Sequence, residues 1–162
     1  MTSLEDLFHA LLQELYSAEE QLLKALPKFA RRSSNPKLRR ALTDHESETE
    51  GHLQRLEQVF EMIGTPAAGS GCEAVAAIIA KGEAIASEAS VHTVRDAGML
   101  AAVQATEHYE IASYGTLVAW AELLDESQVV RLLRQTLDEE KKADLLLTEI
   151  ANGSVNEAAQ MA

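Results

Sequence analysis

Several acidic side chains fall at helix positions where the surrounding pattern calls for leucine or valine. When residues are placed at 100° intervals around a helix, Glu107 and Glu110 lie close to the centre of an apolar stripe. Glu140 lies in the middle of a similar face, with Asp144 one turn later on its shoulder, and Glu19 lies among leucines. The pattern therefore predicts carboxylates that face the interior of a helical protein.

Two histidines occur on one further apolar stripe. His45 and His52 lie near its centre, and Glu48 lies on its edge, three residues after His45 and four before His52. An interior histidine is more often a hydrogen-bonded core residue than a metal ligand, which is the simpler interpretation of His45. His52 has a nearby carboxylate and is a candidate ligand. The remaining histidines are predicted to be surface residues: His9, His92 and His108.

Buried carboxylates at these positions need a counter-charge. An ionised carboxylate in an apolar interior loses hydration worth several kcal/mol, and neighbouring acids raise one another's pKa further. Protons, basic side chains or cations can compensate, and no Lys or Arg occupies comparable inward positions in the pattern. A single inward glutamate more often lies in a solvated groove, so the inference rests on the whole set. Hard metal cations with Glu, Asp and His ligands are the simplest solution.

The apolar periodicity predicts four long helices that would carry these side chains. The first begins behind Thr2 or Ser3, and Pro27 predicts a kink or an early end. A Gly, Pro, Ala and Ser-rich stretch separates the second helix from the rest. The further helices are predicted at about 36–63, 73–89 (short), 96–124 and 128–151, ending at Asn152-Gly153.

Length and composition agree with one all-α domain. Helix-forming residues dominate the 162 residues, and aromatic residues make up 4%. Two helix hairpins joined by a long crossover that contains a short extra helix is the connectivity of a ferritin-like four-helix bundle. We expect this bundle to span residues 1–153 and residues 154–162 to form a frayed tail.

The charge balance restricts the kinds of partner. A net charge of −12 disfavours nucleic-acid phosphates and anionic membranes. No apolar run approaches the roughly 20 residues needed to span a bilayer, and the polar start and single cysteine, Cys72, predict a cytoplasmic protein. Tyr109 and Tyr114 are expected to serve packing. A homodimer is expected through apolar positions such as Leu12, Leu23 or Trp120, and the sequence identifies no redox partner.

Three segments resemble the YciE/YciF-type bacterial ferritin-like family, which is related to rubrerythrins. They are LYSAEEQL with KALP at 15–27, HESETEGH with RLE at 45–57, and TLDEEKKAD at 136–144. In addition, EHYE at 107–110 is similar to the pair of glutamates on the third rubrerythrin helix. The resemblance extends over nearly the whole chain. It implies a bacterial stress-associated protein whose family has no generally assigned biochemical activity.

The resemblance also implies a site for two iron or manganese ions. Rubrerythrin-like sites use Glu-x-x-His on the second and fourth helices. This sequence departs from that pattern in two ways: Glu48 and His52 are four residues apart, and Asp144 occupies the position of the second histidine. A π-bulge could restore that geometry, and there is no four-cysteine rubredoxin module. The candidate metal ligands are Glu19, Glu48, His52, Glu107, Glu110, Glu140 and Asp144.

Two functions are compatible with these residues. One is a di-metal protein with an oxidase, peroxide-consuming or metal-handling role. The other is a non-enzymatic structural stress protein that keeps the fold and acts as a dimer without metal. Storage in a ferritin-like cage is less well supported, because no fifth helix is predicted after Gly153.

Overall fold

The chain folds entirely into helices and connecting loops. The computed structural model describes all of residues 1–162, and no strand occurs in it. The helices are α1 (Leu4–Arg32), α2 (Pro36–Met62), α3 (Glu73–Glu88), α4 (His92–Leu123), α5 (Ser127–Ile150) and α6 (Asn156–Gln160), with a π-helical turn at Ala151–Val155. The all-α prediction is confirmed, and α4 begins one turn earlier than expected.

Local capping explains where the first two helices start. Ser3 Oγ accepts a hydrogen bond from the backbone N–H of Asp6, and the Asp6 carboxylate accepts one from the N–H of Ser3, which forms a capping box. Asn35 caps α2 with its side chain, and Pro36 occupies the first turn, where its missing N–H costs nothing. Pro27 lies inside α1, which nevertheless continues to Arg32, so the helix does not end early.

The four long helices pack as two hairpins. α1 packs on α2 and α4 packs on α5, while contacts of α2 with α5 and of α1 with α4 close the bundle. Residues 63–72 cross from one hairpin to the other, and α3 then packs against α4 and α1. The largest fully buried side chains include Phe8, Phe29, Phe60 and Tyr114. The connectivity is that of a ferritin-like bundle, as predicted.

Two glycines allow α3 to lie very close to the bundle. A Cβ atom on Gly82 would lie 2.8 Å from Ala102 Cβ and 2.9 Å from Phe29 Cζ. A Cβ atom on Gly98 would lie 2.2 Å from Ile85 Cγ2. Because larger residues at these points would clash, the glycines hold α3 against α1 and α4 and cover that side of the core.

The predicted helix end at Asn152-Gly153 is wrong, and a short helix lies where a frayed tail was expected. The chain continues through the π-helical turn into α6, and Val155 is 2% exposed. Asn152 and Gly153 are accommodated by the wider turn, and the Ser154 hydroxyl donates to the carbonyl of Ile150. Val155 therefore contributes to the core, whereas no residue of α6 is buried.

Leu12 cannot contribute to a dimer interface as the sequence suggested, because it is fully buried in the core. It lies on the inner side of α1, whereas Leu23 and Trp120 are partly buried and keep some exposed surface. None of the helices combines the length and the apolar character that crossing a membrane requires.

Candidate metal centre

Six polar side chains from all four long helices meet in the middle of the bundle. Four are glutamates and two are histidines, and each is at most 5% exposed. Together they form the acid–histidine cluster: Glu19 from α1, His45 and His52 from α2, Glu107 and Glu110 from α4, and Glu140 from α5. Both helices of each hairpin therefore contribute side chains to one buried polar site.

One half of the cluster is centred on His52. Its Nδ1 atom lies 2.8 Å from Glu140 Oε1 and 3.3 Å from Glu19 Oε1. One potential ligand atom from each of these three residues lies within 4.8 Å of the other two. This spacing allows the three residues to hold one metal ion. We call Glu19, His52 and Glu140 the inner group.

The other half is centred on His45. Its Nε2 atom lies 3.2 Å from Glu107 Oε1 and 3.9 Å from Glu140 Oε2. His45, Glu107 and Glu140 form a second set of potential ligands within 4.8 Å of one another, here called the outer group. Glu140 belongs to both groups and directs a different oxygen to each histidine, as a carboxylate that bridges two ions would.

Each histidine also contacts a carboxylate on its far side. His45 Nδ1 is hydrogen-bonded to Glu48 Oε2 at 3.2 Å, and His52 Nε2 lies 3.2 Å from Glu139 Oε2. Arg55 forms an ion pair with the same Glu139 oxygen at 2.5 Å. A carboxylate on one ring nitrogen favours a proton there and leaves the other nitrogen free to bind a metal. The nitrogens that remain face the cluster.

The carboxylates of the cluster are short of protein hydrogen-bond donors. Of the eight oxygens of its four glutamates, seven accept no regular hydrogen bond, including both oxygens of Glu110. Some of the seven, such as Glu107 Oε1 and Glu140 Oε1, lie within ion-pair distance of a histidine nitrogen. Glu19 Oε1 is the eighth and accepts a hydrogen bond of 2.5 Å from the fully buried Tyr114 hydroxyl. Buried polar atoms are rarely left unpaired in folded proteins. Unpaired oxygens that converge on imidazole nitrogens are the donor set expected at a metal site, so the residues fit such an ion.

The electrostatics of the cluster favour protonation when no cation is present. Burial raises the pKa of Glu140 to about 7, and burial and the surrounding acids raise the pKa of Glu110 well above its ordinary value. Burial disfavours a charged imidazole, but Glu140 and Glu19 more than offset it and raise the pKa of His52 to about 10. Neighbouring carboxylates likewise raise the pKa of His45 well above its usual range.

Five of the seven predicted ligands lie in the cluster, namely Glu19, His52, Glu107, Glu110 and Glu140. The other two do not. Glu48 is 48% exposed and contacts His45 from outside, and Asp144 pairs with the exposed His108, with Asp144 Oδ1 3.0 Å from His108 Nε2. α2 and α5 are regular α-helices at these positions, so no π-bulge turns either side chain inward.

Four residues of the site were not among the predicted ligands. His45 occupies the place assigned to Glu48, and the signal for it was its position at the centre of the α2 stripe. Arg55 and Glu139 lie off the inner stripes, and their long side chains reach the cluster from its margin. Tyr114 packs in the core as expected but also donates the hydrogen bond to Glu19.

The fold and the site together define a class of protein, a ferritin-like helical bundle with a buried glutamate–histidine cluster. The profile of the family described as "Domain of unknown function (DUF892)" matches residues 3–160. The chain therefore belongs to this family, which agrees with the YciF-type resemblance of its sequence. Protein YciF of Escherichia coli is 42% identical over 161 residues, which is 99% of this chain and 97% of YciF.

Solved structures share the fold. The crystal structure of the E. coli stress protein YciF has a TM-score of 0.91 and 43% identity, covering 96% of this chain and 99% of that one. YcfI of Rhodopseudomonas palustris, provisionally described as a structural protein, has a TM-score of 0.89 and 43% identity over 91% and 94% of the two chains. A Xanthomonas campestris protein, 21% identical, has a TM-score of 0.80 over 98% and 97% and is similar in fold alone.

Proposed function

We propose that the acid–histidine cluster binds two iron or manganese ions, one in the inner group and one in the outer group. The observation that carries the proposal is that two sets of buried ligand atoms share Glu140. Charge gives independent support. Four ionised glutamates carry four negative charges, and two divalent cations compensate them fully while both histidines stay neutral. Cations thus remove the cost of burying four acids.

The donor set favours particular metals. Four carboxylates and two imidazoles form a hard to intermediate set, and no thiolate belongs to the cluster. Such donors suit iron and manganese better than metals that prefer soft sulfur ligands. The same residues would therefore hold ions that change oxidation state.

The proposed role is an oxidase, peroxide-consuming or metal-handling function during stress. A pair of redox-active ions supplies electron transfer to dioxygen or peroxide when bound. The protein residues hold and orient the metal ligands. The Tyr114 hydroxyl fixes the Glu19 carboxylate, and the carboxylates of Glu48 and Glu139 favour a proton on the outer nitrogen of each histidine. Burial of the cluster limits the access of bulk water to it. The name of the E. coli relative as a stress protein agrees with this role, which we place in the cytoplasm.

Elemental analysis tests the proposal directly. Protein purified without chelators should contain up to two equivalents of iron or manganese, and its absorption spectrum should change on addition of peroxide. The Glu107→Ala/Glu110→Ala double variant should lose the metal. A control with alanine at Glu50 and Glu61, two exposed glutamates of α2, should keep it. Stoichiometric metal in the first double variant would show that the assignment is wrong.

A metal-free structural role is the second candidate. The raised pKa values of His52 and Glu110 allow the cluster to hold protons instead of metal ions, which favours a bundle that is stable without them. The description of the Rhodopseudomonas palustris relative points the same way. This role predicts that exhaustive chelation leaves thermal stability unchanged, whereas bound metal would raise stability by mass action.

A homodimer is part of either role. Leu23 and Trp120 retain exposed surface, which a second copy of the chain could cover. Sedimentation equilibrium should give twice the mass of the chain, and the Leu23→Glu/Trp120→Glu variant should be monomeric. A monomeric wild-type protein would contradict this proposal.

A further inference from the structure

A surface cavity ends on one side of the cluster. It has a volume of about 160 Å³ and lies mainly between α2 and α5, with His45 in its wall. His45 is 5% exposed, whereas His52 is completely buried. The two halves of the cluster are therefore unequal, because the outer group adjoins the cavity and the inner group lies behind it, next to Tyr114.

The ligand atoms next to this cavity make no regular hydrogen bond, as is also true of most ligand atoms of the inner group. His45 Nε2 and both oxygens of Glu107 are buried, and His45 Nε2 lies 3.2 Å from Glu107 Oε1. On the outer side of the ring, His45 Nδ1 is hydrogen-bonded to Glu48, which also lines the cavity and is 48% exposed. A half-exposed carboxylate, an imidazole and a buried carboxylate thus follow one another from the cavity into the cluster.

The charge and size of the cavity fit a small cation. Asp44 and Glu48 line it with two carboxylates, against a single ammonium group from Lys142, and the whole chain carries −12. Fields of this sign concentrate cations and repel anions. The cavity is large enough to hold several water molecules. It therefore admits a partly hydrated ion.

We propose that this cavity is the port through which divalent metal ions reach the cluster, and that the outer group of His45, Glu107 and Glu140 receives them first. The inner group is then filled from the outer group through the shared Glu140. The inference rests on the proposed function, since a loading port requires a metal site. It adds the order of filling and the residues that control access.

The test is the rate at which metal-free protein takes up Co²⁺, followed by stopped-flow absorption. Leu146 and Leu145 are neighbours on α5 and both exposed, but only Leu146 lines the cavity. Leu146→Trp should slow uptake on the order of tenfold, since a filled cavity opens only through local motion. Leu145→Trp should leave the rate unchanged, and both variants should finally bind as much Co²⁺ as the wild type.

A charge pair gives a second test that does not depend on filling the cavity. Lys142 lines the cavity, and the adjacent Lys141 is exposed outside it. Lys142→Glu should speed Co²⁺ uptake roughly threefold at low salt because it adds negative charge at the port. The gain should vanish at about 1 M salt, where the screening length falls to about 3 Å. Lys141→Glu should have a clearly smaller effect.

The outcomes separate this inference from the proposed function. If the wild type binds no Co²⁺, iron or manganese at any time, the metal-site proposal fails. If it binds two equivalents but Leu146→Trp and Lys142→Glu load at the rates of their controls, the metal site stands and the port is wrong. A rate that changes equally in both members of each pair would also overturn the port.

Discussion

Replacing Glu110 by leucine should make the metal-free protein more stable. Glu110 is completely buried, both of its oxygens lack a hydrogen-bond partner, and its charged neighbours include the carboxylates of Glu19, Glu140 and Glu107. Leucine has a similar size and needs neither a proton nor a counter-charge. The substitution therefore removes an unfavourable group without opening a large cavity.

The size of the effect follows from the missing partners. A buried polar group left without a partner costs about 1–3 kcal/mol. For a chain of 162 residues, a gain of about 2 kcal/mol corresponds to a rise in Tm of roughly 4–8 °C. Thermal unfolding with excess chelator at about pH 8, followed by far-UV circular dichroism, measures this rise.

The same variant should respond poorly to metal. In the wild type, Mn²⁺ at about 100 times its Kd stabilises the folded state by about 2.7 kcal/mol for each site. Glu110→Leu removes one of the four charges that balance the ions, so we expect its Tm to rise much less when Mn²⁺ is added. The variant should thus be more stable than the wild type in chelator and lose that advantage in Mn²⁺.

Glu107 provides the matched control on the same helix. It is buried to the same extent, but His45 Nε2 lies 3.2 Å from it. Glu107→Leu leaves this imidazole without its partner and should lower the stability of the metal-free protein. If Glu110→Leu is destabilised in chelator as strongly as Glu107→Leu, the view of Glu110 as an uncompensated carboxylate is refuted.

Three further predictions concern pH, the buried tyrosine and the packing of α3. Folding raises the pKa of Glu140 from 4.5 to about 7 and that of His52 from 6.5 to about 10. The folded state therefore binds these two protons more tightly than the unfolded state, and the stability gained in this way is lost as pH rises through the folded-state pKa values. Metal-free protein should lose urea stability from about pH 4.5 to about pH 10; a gain across neutral pH would contradict this. Tyr114→Phe should cost about 1.5–3 kcal/mol in urea unfolding, because it removes a hydrogen bond to a buried carboxylate, and an unchanged midpoint would count against that bond. Gly98→Ala places a Cβ atom 2.2 Å from Ile85 Cγ2 and should cost about 1–3 kcal/mol; unaltered stability would show that α3 shifts freely.

Periodicity was sufficient to predict the helices and most of the cluster. Glu19, Glu107 and Glu140 lie where a 3.6-residue period would place leucines, and the structure buries all three completely. Two hairpins with a crossover followed from the positions of the turn residues. These features depend on local spacing, which a sequence displays directly.

The remaining features depend on neighbouring helices. His45 and Glu48 both lie on the inner half of α2, and only the packing of α4 and α5 determines that the imidazole enters while the carboxylate stays at the surface. Glu139 reaches His52 from an off-stripe position where Arg55 also binds it. The helical C-terminus follows a wide π-helical turn, which no helical period reveals.

The carboxylates on the far side of each histidine fix the rotation of the two rings. Glu48 holds the outer nitrogen of His45 by a hydrogen bond, and Glu139 lies 3.2 Å from the outer nitrogen of His52. A metal ion that binds an inner nitrogen displaces only the proton on that nitrogen, which lies beside Glu107 or Glu140. Each ring can therefore change from imidazolium to metal ligand without turning, while the helices stay packed.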